Sequence, residues 1–176
     1  DFYGYFSMWD TFLHAFSGFL AGGVGFSLVY LLNKNTKTMN LTPLLLAVVS
    51  FCFSMTVGVM WEFVEFSADK LLQFDMQKDT IIQQINSVEL SKDGNTVYHV
   101  PDITRTIIES QNADGKTDKT IIQNGYLDVG IMDTMKDLFV NFIGAVVFSV
   151  FGYLYSRNDY QKFTFIKNFI PKKIKR

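Results

Sequence analysis

Three runs of sequence lack any Asp, Glu, Lys or Arg, and they constrain this chain more than any other feature. Thr11 to Asn33 is 23 residues long, Thr38 to Trp61 is 24 and Leu138 to Ser156 is 19, and His14 is the only ionisable imidazole in them. A helix rises about 1.5 Å per residue, so each run is long enough to cross a hydrocarbon layer of roughly 30 Å. The runs are apolar on every side, which a surface helix of a water-soluble domain is not. We therefore expect a mainly α membrane protein with three transmembrane helices near residues 10–32, 43–67 and 132–155, as part of a larger bundle. The expected division is 10–69 for the first two helices, 70–128 for a β-rich extracytoplasmic insertion, 129–156 for the third helix and 157–176 for a basic tail.

Charge sets the remaining bounds. The 176 residues have 16 basic and 17 acidic side chains, and this balance argues against a polyanion-binding surface, so nucleic acid is not an expected partner. Cys52 is the single cysteine, which excludes an internal disulfide and a thiolate metal cluster within one chain. Lys34 and Lys37 lie between the first two runs, and Arg157, Lys162, Lys167, Lys172, Lys173, Lys175 and Arg176 follow the third. The positive-inside rule puts these on the cytoplasmic side of a bacterial plasma membrane, with the insertion and the N-terminus outside. The aromatic start (Phe2, Tyr3, Tyr5, Phe6, Trp9) suits a membrane interface, and we expect further helices upstream of it. In the tail, Phe163, Phe165, Ile166, Phe169 and Ile170 are interspersed with lysines, as in an interfacial segment on anionic lipid or an ordinary cytoplasmic stop with snorkelling lysines.

The insertion has a different texture. Thr80 to Leu90 and Thr96 to His99 are rich in β-branched or aromatic residues, and Ser91-Lys92-Asp93-Gly94-Asn95 between them reads as a hairpin turn. Ile103 to Ile108 and Lys119 to Ile122 read as further strands around the turn Asn112-Ala113-Asp114-Gly115. An antiparallel sheet of two to four strands is expected, and no catalytic motif occurs in it.

The acidic residues that border the apolar runs carry the functional signal. Asp10 and His14 are four apart, on one face of the first helix. Glu62, Glu65 and Asp69 end the second helix at i, i+3 and i+7; Asp133, Asp137 and Asn141 begin the third at i, i+4 and i+8. Because successive spans alternate in direction, all three clusters belong at one depth near the outer face, where His14, Glu62 and Asp137 should share an interior. Carboxylates gathered in a partly dry site repel one another, and a bound cation or shared protons relieve that cost. Asp10, His14, Glu62, Glu65, Asp133 and Asp137 form an oxygen-rich ligand set for a divalent cation such as magnesium, manganese, calcium, iron or zinc, with Asp69 and Asn141 supporting it. His14 or Glu65 is then the candidate general base. The alternative is that acids such as Asp10 and Asp133 only cap helix N-termini or sit in headgroup water.

Gly18 and Gly22 make a GxxxG pair, Ala21 and Gly25 repeat the small-residue spacing, and Gly58 and Gly144 offer the same close approach on the other two helices. Walker, GxSxG, HExxH and dinucleotide signatures are absent from the sequence.

The patterns WDxxxHxxxG (Trp9, Asp10, His14, Gly18), WExxE (Trp61, Glu62, Glu65) and DTMKDLxxNxxGA (Asp133 to Ala145) resemble the YjdF-like family of uncharacterised bacterial membrane proteins. The segment Asp75 to Thr80 is similar to one in related gut Firmicutes proteins. The resemblance covers the three helices in order, implies upstream helices, and brings no activity with it. Three readings follow from the residues. The site belongs to a metal-dependent hydrolase or transferase acting on a lipid-linked substrate, or the chain is an accessory or structural membrane subunit, or it passes a cation or proton. The third is disfavoured by the cytoplasmic halves of the spans, which have no ionisable residues to continue a path. Beyond the lipid bilayer, a homo-oligomer or a partner membrane subunit is the expected company.

Overall fold

A computed structural model describes residues 8–36 and 40–157. The chain is helical apart from one insertion: α1 (Trp9–Asn35), α2 (Pro43–Leu72), six short strands, and α3 (Ile131–Ser156). It forms two compact units, Asp1–Leu72 with Thr134–Arg176, and Gln73–Asp133. The aromatic start at 2–6 and the lysine-rich tail at 162–176 lie outside the described residues.

All three helices have the length and composition to cross a membrane. Their side-chain distribution is that of a membrane bundle, in which small and polar residues are inside and large apolar ones outside. On α1 the exposed row Phe12, Phe16, Leu20, Val24, Leu28 and Leu32 repeats every four residues, while Gly18, Gly22, Gly23, Gly25, Phe26 and Ser27 are buried. On α2 the buried set is Leu46, Ala47, Ser50, Ser54, Glu62 and Glu65. On α3 it includes Asp137, Asn141, Gly144, Ala145, Phe148, Ser149 and Gly152.

The helix boundaries have local causes. Thr42 caps α2 by accepting the Leu45 N–H at 3.3 Å, and Pro43 follows at the first helical position, where its missing N–H costs nothing. Asn33 Oδ1 accepts the Leu41 N–H at 2.8 Å and ties the α1 end to the start of α2. Gln73, in the left-handed region at φ 56°, stops α2. Asp128 Oδ2 accepts the Met132 N–H at 2.8 Å and starts α3. The helix α2 is 30 residues long and runs past the expected end at 67 to Leu72, with no Gly or Pro in Ser67 to Leu72 to interrupt it.

Two serines and two glycines join α1 to α2. Ser50 Oγ donates to the Gly22 carbonyl and Ser54 Oγ to the Gly18 carbonyl, each at 2.7 Å and buried. The antiparallel helices thus match an i, i+4 serine pair with an i, i+4 glycine pair. On the other side of α1, a Cβ on Gly18 would lie 2.5 Å from the Asn141 carbonyl oxygen, and a Cβ on Gly144 would collide with the Ala15 carbonyl. The end of the bundle away from the carboxylates is closed by Phe26, Leu46 and Phe148, with Phe19, Tyr30, Phe151 and Tyr155 around them.

In the insertion, the strands β1 (Thr80–Ile82), β2 (Ile85–Ser87), β3 (Tyr98–Val100), β4 (Arg105–Gln111), β5 (Thr117–Gln123) and β6 (Tyr126–Asp128) form three antiparallel pairs, β1 with β6, β2 with β3, and β4 with β5. The expected strand over 80–90 is broken at Gln83 and Gln84 and serves two partners. Its first half pairs Thr80 with Asp128, which closes the insertion on itself; its second pairs Ile85 with Val100. The expected hairpin around 112–115 forms, with Arg105 opposite Gln123 and Gln111 opposite Thr117. Gly115, at φ 73°, supplies its left-handed residue, and Asn112 Oδ1 accepts the N–H groups of Asp114 and Lys116.

Candidate metal centre at the bundle end

Each helix delivers its polar residues by simple periodicity. Asp10 and His14 are one turn apart on α1, Glu62 and Glu65 lie on the buried stripe of α2, and Asp137 and Asn141 lie one turn apart on that of α3. Because α1 and α3 enter at the end where α2 leaves, these stripes converge there.

His14 stands at the centre. Its Nε2 is 3.7 Å from Asp10 Oδ1 and 3.5 Å from Asp137 Oδ2, and its Nδ1, on the other side of the ring, is 3.9 Å from Glu62 Oε1. Asp137 is 1% exposed and Glu62 is 5% exposed, so both carboxylates are withdrawn from solvent. Asp10 and His14 are half-buried and form the more accessible side. One ligand atom each from Asp10, His14 and Asp137 lies within 4.8 Å of the others. Around a four-coordinate ion with bonds of about 2.1 Å, neighbouring ligand atoms are roughly 3.4 Å apart, so the separations at Nε2 need little adjustment.

The other residues singled out in the sequence are placed as follows. Glu65 is buried, accepts a hydrogen bond from Trp61 Nε1 at 2.8 Å, and lies close enough to His14, Asp10 and Asp137 to interact with their charges. Asn141 is 3% exposed, one turn from Asp137, and its side chain fills the notch between Gly18 and Gly58, where it donates to Met55 Sδ at 3.6 Å. Asp69 is half-buried on the last turns of α2. Asp133 belongs to the other unit, where its Oδ2 accepts the Lys78 N–H at 3.0 Å. Lys136 Nζ lies 3.8 Å from Asp137 Oδ1. His99 pairs with Asn86 across β2 and β3 at 2.7 Å.

Sequence reasoning passed over Ser50 and Ser54, and it named Trp61 only within the WExxE pattern, without a role. The serines were detectable as an i, i+4 pair of small hydroxyls in an apolar run, complementary to Gly18 and Gly22. The indole bond of Trp61 had no such signal beyond its own i, i+4 spacing to Glu65.

A family model described as "Predicted membrane protein (DUF2238)" matches residues 2–158. The chain belongs to this family. The match takes in α1, α2, the insertion and α3, so the histidine–carboxylate group and the strands are parts of one family domain. No curated protein and no solved structure matches the chain.

Proposed function

We propose that this DUF2238 protein holds a divalent cation between Asp10, His14 Nε2 and Asp137, near the membrane surface. The observation that carries the reading is the convergence of these three ligand atoms from two helices within 4.8 Å. Two carboxylates and one imidazole suit manganese, iron or zinc better than calcium, which prefers an all-oxygen shell, or magnesium, which retains water. Two positive charges offset the mutual repulsion of Asp10, Glu62, Glu65 and Asp137 in a site largely shielded from water.

A cation with three protein ligands keeps coordination positions for water or substrate, as catalytic zinc sites do. Such an ion polarises a phosphoryl or carbonyl oxygen and lowers the pKa of bound water, which supports hydrolase or transferase chemistry on a lipid-linked headgroup. With His14 engaged as a ligand, Glu65 is the group left to accept the proton. In this reading the WDxxxH and DTMKD patterns are the segments of this chain that hold the ion. We further infer a bacterial plasma-membrane location with the insertion outside, from the lysines at 34 and 37 and the basic tail. A cysteine at Asn95 should react with an impermeant thiol reagent in intact cells and one at Asn35 should not; the reverse pattern would invert this topology.

The metal reading predicts cation-dependent stability. Binding to the folded state alone stabilises by about 2.7 kcal/mol at a hundredfold excess over Kd. The melting temperature of the detergent-purified parent should rise with manganese or zinc, while that of Asp137→Asn should not. The amide keeps the shape of the acid but loses the charge that a cation requires. Equal responses in the two proteins would count against the site.

A further inference from the structure

We propose that Glu62 is a positioning residue for the metal site and not one of its ligands. This rests on the cation reading above, and it follows from the two faces of one ring. The nitrogens of an imidazole point in divergent directions, so a cation held at one is turned away from groups that meet the other. Asp10 and Asp137 meet Nε2, at 3.7 and 3.5 Å, whereas Glu62 meets Nδ1, at 3.9 Å. The three-residue ligand group accordingly consists of Asp10, His14 and Asp137.

A metal-bound histidine donates its remaining N–H to a carboxylate, a carbonyl or a water, and that partner fixes both tautomer and ring orientation. Glu62 Oε1 is the carboxylate at this position. Its present 3.9 Å is longer than a hydrogen bond, and the positioning role requires this distance to shorten to about 3 Å when a cation is held. Burial gives the arrangement its force. At 5% exposure Glu62 has little water to compete for its oxygens, and a carboxylate oxygen that accepts from Nδ1 selects the tautomer with the lone pair on Nε2. The charged groups around this ring are Asp10, Glu65 and Asp137, with Lys136 Nζ 3.8 Å from Asp137 Oδ1, and three carboxylates against one ammonium still favour a cation at Nε2.

The test compares the full-length parent with Glu62→Gln, Asp137→Asn and His14→Ala in detergent. Manganese binding is followed by the EPR signal of the free ion. Copper(II) loading then allows pulsed EPR of the imidazole nitrogen remote from the metal, whose quadrupole coupling reports the hydrogen bond at that nitrogen. Glu62→Gln should weaken manganese binding 10- to 100-fold, as loss of an outer partner does, and shift the coupling while imidazole remains bound. Asp137→Asn and His14→Ala should lose binding altogether.

Unchanged affinity and coupling in Glu62→Gln, with a parent that binds, would overturn the positioning role and leave the metal site standing. Loss of binding in Glu62→Gln as complete as in Asp137→Asn, in a variant that melts as the metal-free parent does, would make Glu62 a ligand and also overturn it. A parent that binds neither ion would overturn the metal reading itself.

Discussion

Single atoms decide how closely the helices approach. Gly18 is involved twice, since its carbonyl accepts Ser54 Oγ and its missing side chain admits Asn141. These contributions differ in size. Hydrogen bonds between membrane helices average about 0.6 kcal/mol, because the separated helices find other partners, so Ser54→Ala should cost about that much. Gly18→Leu should cost more, on the order of 1–3 kcal/mol or greater, since a Cβ would already lie 2.5 Å from a backbone oxygen that cannot rotate away. Reversible unfolding in mixed detergent checks the ranking, and a serine variant as damaging as the leucine variant would refute it. At the same scale, Asn141 lies below Asp137 and is wedged between two glycines, so its side-chain position is coupled to helix packing.

The elements differ in how far their sequences determined them. Chargeless runs revealed all three helices, because the membrane imposes one requirement on every residue of a span. They revealed the end of α2 less well, since charge marks the water boundary while the helix continues to Leu72, before the left-handed turn at Gln73 that its residue type does not announce. In the insertion the hairpin β4–β5 was legible because its turn chemistry is local to Asn112 and Gly115. The pairing of β1 with β6 joins residues 80 and 128, and nothing local in either strand specifies so distant a partner. The grouping of Asp10, His14, Glu62 and Asp137 was legible for a related reason, as acids at helical spacing on spans of alternating direction lie at one depth. Which ring nitrogen meets which acid depends on side-chain angles that no spacing encodes.

The connection between β2 and β3 adds a pH-dependent element. Asp93 accepts hydrogen bonds from Ser91 Oγ, from the N–H groups of Asn95 and Thr96, and from Thr96 Oγ1. These donors, with Ser91 foremost, hold its carboxyl well below the usual range. A folded-state pKa below the unfolded value of about 3.9 means that the stabilisation is present above that value and lost as pH falls toward the lowered one. Amide exchange protection at Asn95 and Thr96, relative to that at Gly115, should therefore persist at neutral pH and fade below about pH 4. Asp93→Asn should reduce it at neutral pH and remove its pH dependence, and protection indifferent to both changes would refute the account.

At the scale of the whole molecule, charge and apolar surface are segregated. The membrane-spanning bundle keeps large apolar side chains outward and gathers its buried carboxylates at one end, around one histidine. At the other end it is closed by aromatic and aliphatic packing. Acids this far out of solvent are costly to a fold, and the proposed cation would offset that cost. That claim is tested most directly by elemental analysis of the detergent-purified protein and its Asp137→Ala variant, with thermal melts to show that the variant is folded. The account predicts about one divalent transition-metal ion per parent chain and near-complete loss in the variant. A folded variant with as much metal as the parent, or a parent that takes up none when supplied with manganese, iron and zinc, would contradict it.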